Sequence, residues 1–266
     1  MPVFGLGTWR MGEYPEQFER DADVIRAALD LGVTLFDTAE MYGEGGAEEV
    51  LGQAIQGRRD ELFLVSKFYP HNASHNGVIE ACERSLRRMN CDTIDLYMLH
   101  WPGSVPLAQT FEALHELQDS GKIGDFGVSN FNLADLESIP AEDQVRLGCN
   151  QVFYNLLHRE AEWEVSDWCQ QRGVPLMAYS PLDQGGSLLD SPAVADVAAR
   201  HDATNAQIAL AWLLHQPDTV VIPKSVRLER IRENLAAVDI KLNDQDLADL
   251  DNVYPAPEQP IRLGMR

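Results

Sequence analysis

Leu62-Phe63-Leu64-Val65-Ser66 is a short apolar run, a helical pattern over residues 76–89 follows it, and Ile94-Asp95-Leu96-Tyr97-Met98-Leu99 is a second apolar run. Runs this short suit strands, whereas the longer segment carries apolar residues at helical spacing. Strands joined by a helix pair in parallel, because the crossover returns the chain to the same end of the sheet. The unit recurs in both directions. Further strand candidates are residues 3–6, 34–36, 124–128, 148–151, 176–179 and 220–222. Helical patterns cover 17–31, 47–56, 107–120, 133–138, 162–171, 192–201 with 206–215, and 228–238. Eight strands alternating with helices predict an α/β fold, a (β/α)8 or TIM barrel, formed as one domain over residues 1–266. An open doubly wound sheet would need G-x-G-x-x-G after an early strand, but Gly5-Leu6-Gly7 continues as Thr8-Trp9-Arg10.

Gly32, Gly57, Gly121 and Gly173 stand just beyond helical segments, where a left-handed residue ends a helix, and Asn132 is placed to cap the next one. Residues 181–191, with Gly185-Gly186-Ser187, form a longer connection than usual, placed to cover a ligand. The tail 254–260 is proline-rich and expected to be extended on the surface.

With 42 acidic and 21 basic side chains the net charge is −21, which disfavours nucleic acid and anionic membranes as partners. An anionic ligand would then need a local basic patch. No stretch approaches the roughly 20 apolar residues of a membrane helix, and the N-terminus shows no signal-peptide pattern. Cys82, Cys91, Cys149 and Cys169 form neither C-x-x-C nor a zinc-ligand spacing, and His71 and His75 lie in an Asn/Ser/Gly-rich loop. These features point to a cytoplasmic protein with reduced thiols and no metal centre.

Polar residues sit at the predicted strand ends: Asp37, Lys67, His100, Ser129, Asn130, Gln151, Tyr179, Ser180 and Lys224. A parallel barrel gathers such ends on one face. An ammonium beside a phenol lowers the phenol's pKa, so Lys67 can prepare Tyr42 as an acid, Asp37 can hold Lys67, and His100 can bind a substrate oxygen. Each residue also has a structural alternative. Asp37 could cap a helix, Tyr42 could pack on the rim, Lys67 could pair with any acid, and His100 could be a core histidine. Their joint occurrence favours catalysis.

Several of these motifs resemble those of the aldo-keto reductase family. They are Gly5-Leu6-Gly7-Thr8-Trp9, Leu35-Phe36-Asp37-Thr38-Ala39 with Tyr42-Gly43, and Asp95 through Pro102. They continue as Gly127-Val128-Ser129-Asn130-Phe131, Asn150-Gln151-Val152, Tyr179-Ser180-Pro181-Leu182 and Ile222-Pro223-Lys224-Ser225, then Arg230 and Glu233-Asn234. The order is highly specific and spans nearly the whole chain. The resemblance implies a catalytic tetrad of Asp37, Tyr42, Lys67 and His100 and an extended NADPH/NADP+ across the barrel mouth. It implies that Tyr179 stacks on the nicotinamide, that Ser129, Asn130 and Gln151 bind its carboxamide, and that Trp9 and Asp37 lie at the same end. Ser180, Pro181, Leu182 and Gln184 would run beside the pyrophosphate. Lys224, Ser225 and Arg230 would take the 2′-phosphate, with Glu233 and Asn234 at the adenine. Arg227 is expected on a solvated helix face. Trp9, Tyr42, Tyr69, His100 and Trp101 would wall a pocket for a small carbonyl substrate.

Within the family the chain is similar to compact bacterial members that reduce methylglyoxal and other small aldehydes. It departs from the family in three ways. A β-hairpin that plugs the barrel bottom is missing, Asp183 places a carboxylate beside the expected pyrophosphate, and a short tail leaves one side of the pocket open. A monomeric, NADPH-dependent oxidoreductase that reduces aldehydes is the leading expectation. The alternatives are an NADPH-binding barrel without catalysis and a lyase or isomerase using Lys67 as a Schiff-base amine.

Overall fold

The computed structural model describes residues 1–266. Its strands are β1 (Gly5–Gly7), β2 (Leu35–Asp37), β3 (Phe63–Phe68), β4 (Ile94–Leu99), β5 (Ile123–Ser129), β6 (Asn150–Phe153), β7 (Leu176–Tyr179) and β8 (Thr219–Val221). They pair in parallel in chain order, β1 to β8. A parallel bridge between Phe4 and Val221 brings β8 back to β1. There the Val221 N–H donates to the Val3 carbonyl at 2.9 Å, and the Gly7 N–H to the Pro223 carbonyl at 3.2 Å. The eight-strand expectation therefore holds, and the sheet curls into the (β/α)8 barrel. No strand precedes β1 within these residues.

Side chains alternate between two environments, as the two-residue period of a strand requires. Leu35, Val65, Leu96, Met98, Cys149, Met177, Val220 and Ile222 form a cluster inside the barrel. Phe36, Leu64, Tyr97, Leu99, Phe126, Val128, Val152, Ala178 and Val221 belong to the larger core beneath the helices. The inward rows end in polar residues: Leu35 leads to Asp37, Val65 to Lys67, Met98 to His100, Cys149 to Gln151, Met177 to Tyr179 and Ile222 to Lys224. Parity, and not only position at a strand end, aims these side chains at the barrel axis.

The helices are α1 (Phe18–Asp30), α2 (Gly46–Ala54), α3 (His75–Met89), α4 (Leu107–Asp119), α5 (Leu133–Glu137), α6 (Ala141–Gln144), α7 (Val165–Arg172), α8 (Pro192–Arg200), α9 (Asn205–His215), α10 (Leu228–Leu235) and α11 (Asp244–Val253). In α3 the residues Val78, Ala81, Cys82, Ser85, Leu86 and Met89 are buried, one stripe at three- and four-residue spacing. Ser74 caps its first turn by accepting from the Gly77 N–H, and Asn90 ends it in the left-handed region. Gly121 and Gly173 adopt φ of 74° and 67° with open space where a β-carbon would be, so backbone conformation alone asks for glycine there.

Three boundaries bear on the site. β3 runs on to Phe68, so Lys67 lies within the strand and not after it. β6 begins two residues later than expected and continues to Phe153, placing Gln151 inside it; Gly148 contributes a single hydrogen bond, to the Phe126 carbonyl. α11 is absent from the sequence expectation because it is largely acidic and has little apolar face. Its buried residues are Asp246 and Leu250. It is held by an Asn243–Asp246 capping box and by Arg200 and His201, whose nitrogens stand 2.9 and 2.7 Å from Asp246.

Candidate active site

The C-terminal ends of the strands open onto one cleft of about 1450 Å³. At its floor Lys67 is wholly buried, with Nζ 2.7 and 2.9 Å from the two carboxylate oxygens of Asp37 and 2.8 Å from the Thr38 carbonyl. Its remaining contact is the Tyr42 hydroxyl at 3.4 Å. The Gln151 amide donates to Asp37 Oδ1 at 2.8 Å from across the barrel. Asp37 thus anchors both the ammonium and an amide, and its N-capping alternative falls away. Lys67 does not line the cleft. A Schiff-base role, which needs a reachable amine, is not compatible with that position.

Tyr42 leaves β2 on a short turn in which Gly43 and Glu44 adopt φ of 59° and 53°. Tyr42 opens this turn, and its hydroxyl stands over Lys67 at the strand ends. The ring packs edge-on against His100, centroids 5.9 Å apart, and faces the cleft. Burial of its hydroxyl, and then the Asp37 carboxylate, push the Tyr42 pKa well above the ordinary phenol value. This reverses the sequence expectation that Lys67 would lower it. The ammonium is committed to Asp37 and Thr38 at shorter range, so Tyr42 rests as a neutral donor.

His100 is buried, and its Nδ1 has no hydrogen-bond partner. Burial, with Lys67 nearby, drops its pKa to about 2. The imidazole is therefore neutral throughout the working range and can hydrogen-bond an oxygen without carrying charge. The folded pKa lies below the ordinary 6.5, so the unfolded chain takes up the proton first, and stability falls as pH drops below 6.5. His100→Asn is expected to remove this penalty. Between pH 6.5 and 5 it should lose about 2 kcal/mol less than wild type in urea unfolding. Identical acid sensitivity in the two proteins would count against a neutral His100.

Ser129, Asn130 and Tyr179 form a connected edge of the cleft. Ser129 Oγ donates to the Gln151 carbonyl at 2.9 Å, and Asn130 Nδ2 donates to the His100 carbonyl and to Ser129 Oγ, both at 3.1 Å. The Tyr179 hydroxyl donates to Asn130 Oδ1 at 2.9 Å. Asn130 adopts φ of 61°, a conformation Asn tolerates better than most residues.

The cleft then runs past Ser180, Pro181, Leu182 and Gln184 to Lys224, Ser225, Arg230, Glu233 and Asn234. Trp9 lines its near end. Arg227 is exposed, as expected of a solvated position, and it also borders the cleft. Ser225 is buried and accepts from the Arg227 N–H at 3.1 Å, which fixes the loop. Glu233 accepts from the Thr204 hydroxyl at 2.7 Å.

Two expected pocket walls stand elsewhere. Tyr69 and Trp101 are not among the residues that line the cleft. Trp101 packs on His100 at 4.9 Å between centroids, and Tyr69 packs edge-on against Trp101 at 5.8 Å. Residues the sequence reading passed over also line the cleft: Arg10, Met41, Thr204, Asn205 and Arg266. Arg10 follows the β1 end and was open to the strand-end rule; its guanidinium lies 4.4 Å above the Trp9 ring. Thr204 had a capping-box signature, Thr204 with Gln207, at the start of α9. Arg266 carried no sequence signal. It returns along the tail to the side of the cleft expected to be open.

The cleft is long, and its charge opposes that of the chain. Arg10, Lys224, Arg227, Arg230 and Arg266 line it against Asp37, Glu229 and Glu233, and Asp37 is neutralised by Lys67. A protein of net charge −21 thus presents a basic groove ending beside a proton donor. The model of the aldo/keto reductase family matches residues 3–255. The chain belongs to the aldo/keto reductase family. This aldo/keto reductase is 43% identical, over all of its length and 95% of the relative's, to a methylglyoxal reductase of Escherichia coli (strain K12). It is 35% identical to a glyoxal reductase of Bacillus subtilis (strain 168), with 97% of the chain and 93% of the relative covered. Among solved structures it superposes with a TM-score of 0.96 on an aldo-keto reductase from Klebsiella pneumoniae in complex with NADPH. That protein is 43% identical, and 100% of this chain and 95% of that one are covered. No helix of this aldo/keto reductase is long and apolar enough to cross a membrane.

Proposed function

We propose that the enzyme, acting as a monomer, reduces small aldehydes and 2-oxoaldehydes such as methylglyoxal to alcohols with NADPH. The observation that carries this reading is the Tyr42 hydroxyl facing the cleft beside neutral His100, with the Asp37-anchored Lys67 ammonium 3.4 Å beneath it. The names of the E. coli and B. subtilis relatives and the NADPH complex of the K. pneumoniae structure support the substrate class and the cofactor.

The groove suits NADPH by charge and shape. Tyr179 offers an aromatic face at the catalytic end, near Ser129, Asn130, Gln151 and Trp9. Ser180, Pro181, Leu182 and Gln184 would follow the pyrophosphate, and Lys224, Ser225 and Arg230 would hold the 2′-phosphate, with Glu233 and Asn234 at the adenine. An arginine can grip a phosphate through two parallel hydrogen bonds and a lysine acts as a point charge. NADPH, when bound, supplies the hydride that adds to the carbonyl carbon.

The remaining chemistry belongs to the side chains. His100, neutral, donates a hydrogen bond to the carbonyl oxygen and sets its direction. As negative charge gathers on that oxygen, Tyr42 transfers its hydroxyl proton to it. Lys67 then stabilises the phenolate left behind, and Asp37 keeps Lys67 charged. A high phenol pKa in the resting site is consistent with this order, since the proton leaves only when the oxygen has become a strong base. A barrel that only binds NADPH has no need of a phenol held 3.4 Å from a buried ammonium and facing the cleft.

Oxidation of NADPH and NADH, each with a panel of small aldehydes and dicarbonyls, tests the proposal. Turnover with NADPH is expected, and none across the panel would refute it. Arg230→Ala is expected to raise the KM for NADPH about tenfold or more, the worth of a charge-assisted hydrogen bond, while the KM for NADH changes little. Equal losses for both cofactors would remove Arg230 from the 2′-phosphate site.

A further inference from the structure

The loop after β7 crosses the cleft in a strained conformation. Ser180, Asp183, Gln184 and Gly185 have φ of 49°, 46°, 57° and 79°. Ser180, Pro181, Leu182, Gln184 and Gly185 all line the cleft, yet Asp183, in the middle of the same turn, does not. Its carboxylate is turned to the Arg266 guanidinium, with Oδ1 2.6 Å from Nη1. Arg266 is fixed at two further points. Its backbone N–H donates to the Tyr179 hydroxyl at 3.1 Å, and its guanidinium lies 5.1 Å above the Phe153 ring, itself stacked on Tyr179. Gly264 brings the tail close: a β-carbon there would stand 3.2 Å from Phe153. The tail is thus tied to the loop and to the β7 exit together.

We infer that Arg266 is a positioning residue for the dinucleotide: its guanidinium holds and neutralises the Asp183 carboxylate, so that no free anion faces the cofactor's phosphates. The inference rests on the reading of the cleft as an NADPH site. An unpaired carboxylate on this turn would oppose the attraction exerted by Arg10, Lys224 and Arg230. Water screens part of that repulsion, since the Arg266 side chain is 43% exposed, though Asp183 is only 11% exposed.

Arg266→Ala is expected to weaken NADPH binding about three- to fivefold, the range open to a partly exposed ion pair, and to act on KM for NADPH with kcat preserved. Arg266→Lys should keep most of the affinity. Adding Asp183→Asn to Arg266→Ala removes the stranded charge, and Asn tolerates the left-handed turn, so affinity should return to within about twofold of wild type. An Arg266→Ala protein that binds like wild type overturns the inference. So does a double variant as weak as the single one, because Arg266 would then act by packing or by its own charge in the cleft and not through Asp183. Amide exchange in ligand-free protein separates this inference from the cofactor reading. Arg266→Ala should speed exchange at Gly185 and Gly186, whose N–H groups bond within the turn to Leu182 and Asp183. Wild-type protein that binds no NADPH sinks the cofactor reading, whereas unchanged exchange sinks the tie between Arg266 and Asp183.

Discussion

Tyr42→Phe is expected to lower kcat for a small aldehyde by about 10²- to 10⁴-fold, the usual contribution of a positioned general acid, while the Kd for NADPH stays within about twofold. The asymmetry follows from what the substitution removes. The ring remains and still packs edge-on against His100. Lys67 loses a 3.4 Å contact but keeps three shorter ones, to both Asp37 oxygens and to Thr38. Floor and cofactor groove should therefore persist, and only the transferable proton is gone. His100 cannot replace it, because a histidine with a pKa near 2 has no acidic proton to give at neutral pH. Single-turnover kinetics and a fluorescence titration measure the two quantities separately. Activity within tenfold of wild type would mean that another group, or water, delivers the proton.

The sequence made the barrel legible through the alternation of short apolar runs with helical stretches, and it made the polar ring legible through position at strand ends. Asp37, Lys67 and His100 were findable from both position and parity. Tyr42 was findable only from its residue type and its nearness to Asp37 in the chain, because it sits on a loop beyond the strand, where neither position nor parity applies, and the family resemblance made it the fourth member. Electrostatics were less legible still. From residue types alone a lysine beside a tyrosine lowers the phenol's pKa; the structure shows that lysine committed to Asp37 and burial winning. Tyr69 and Trp101 illustrate a different limit. Strand-end logic brings them near His100 but cannot tell whether their rings line the cleft or pack beside it. Arg266 marks the extreme case, since nothing in a proline-rich tail signals that its last residue returns to the cleft.

Lys67→Met should cost about 3–5 kcal/mol of stability, the penalty for leaving a buried charge without its partner, and should abolish most activity. Asp37 would remain only 2% exposed, with the Gln151 amide as its donor, and one neutral hydrogen bond cannot replace an ammonium that contacts both carboxylate oxygens. A loss of activity in this variant alone would be ambiguous, because a loosened floor also misplaces Tyr42. Asp37→Asn combined with Lys67→Met resolves it. The double variant removes both charges, and buried ion pairs replaced together are often near neutral for stability. Denaturant unfolding is therefore expected to show most of the lost stability regained, while kcat stays low because no cation is left to stabilise the Tyr42 phenolate. Recovery of both stability and activity would show that the pair serves the fold and not the proton transfer. A double variant as unstable as the single one would show that the cost lies in packing around position 67, with the stranded Asp37 charge contributing little.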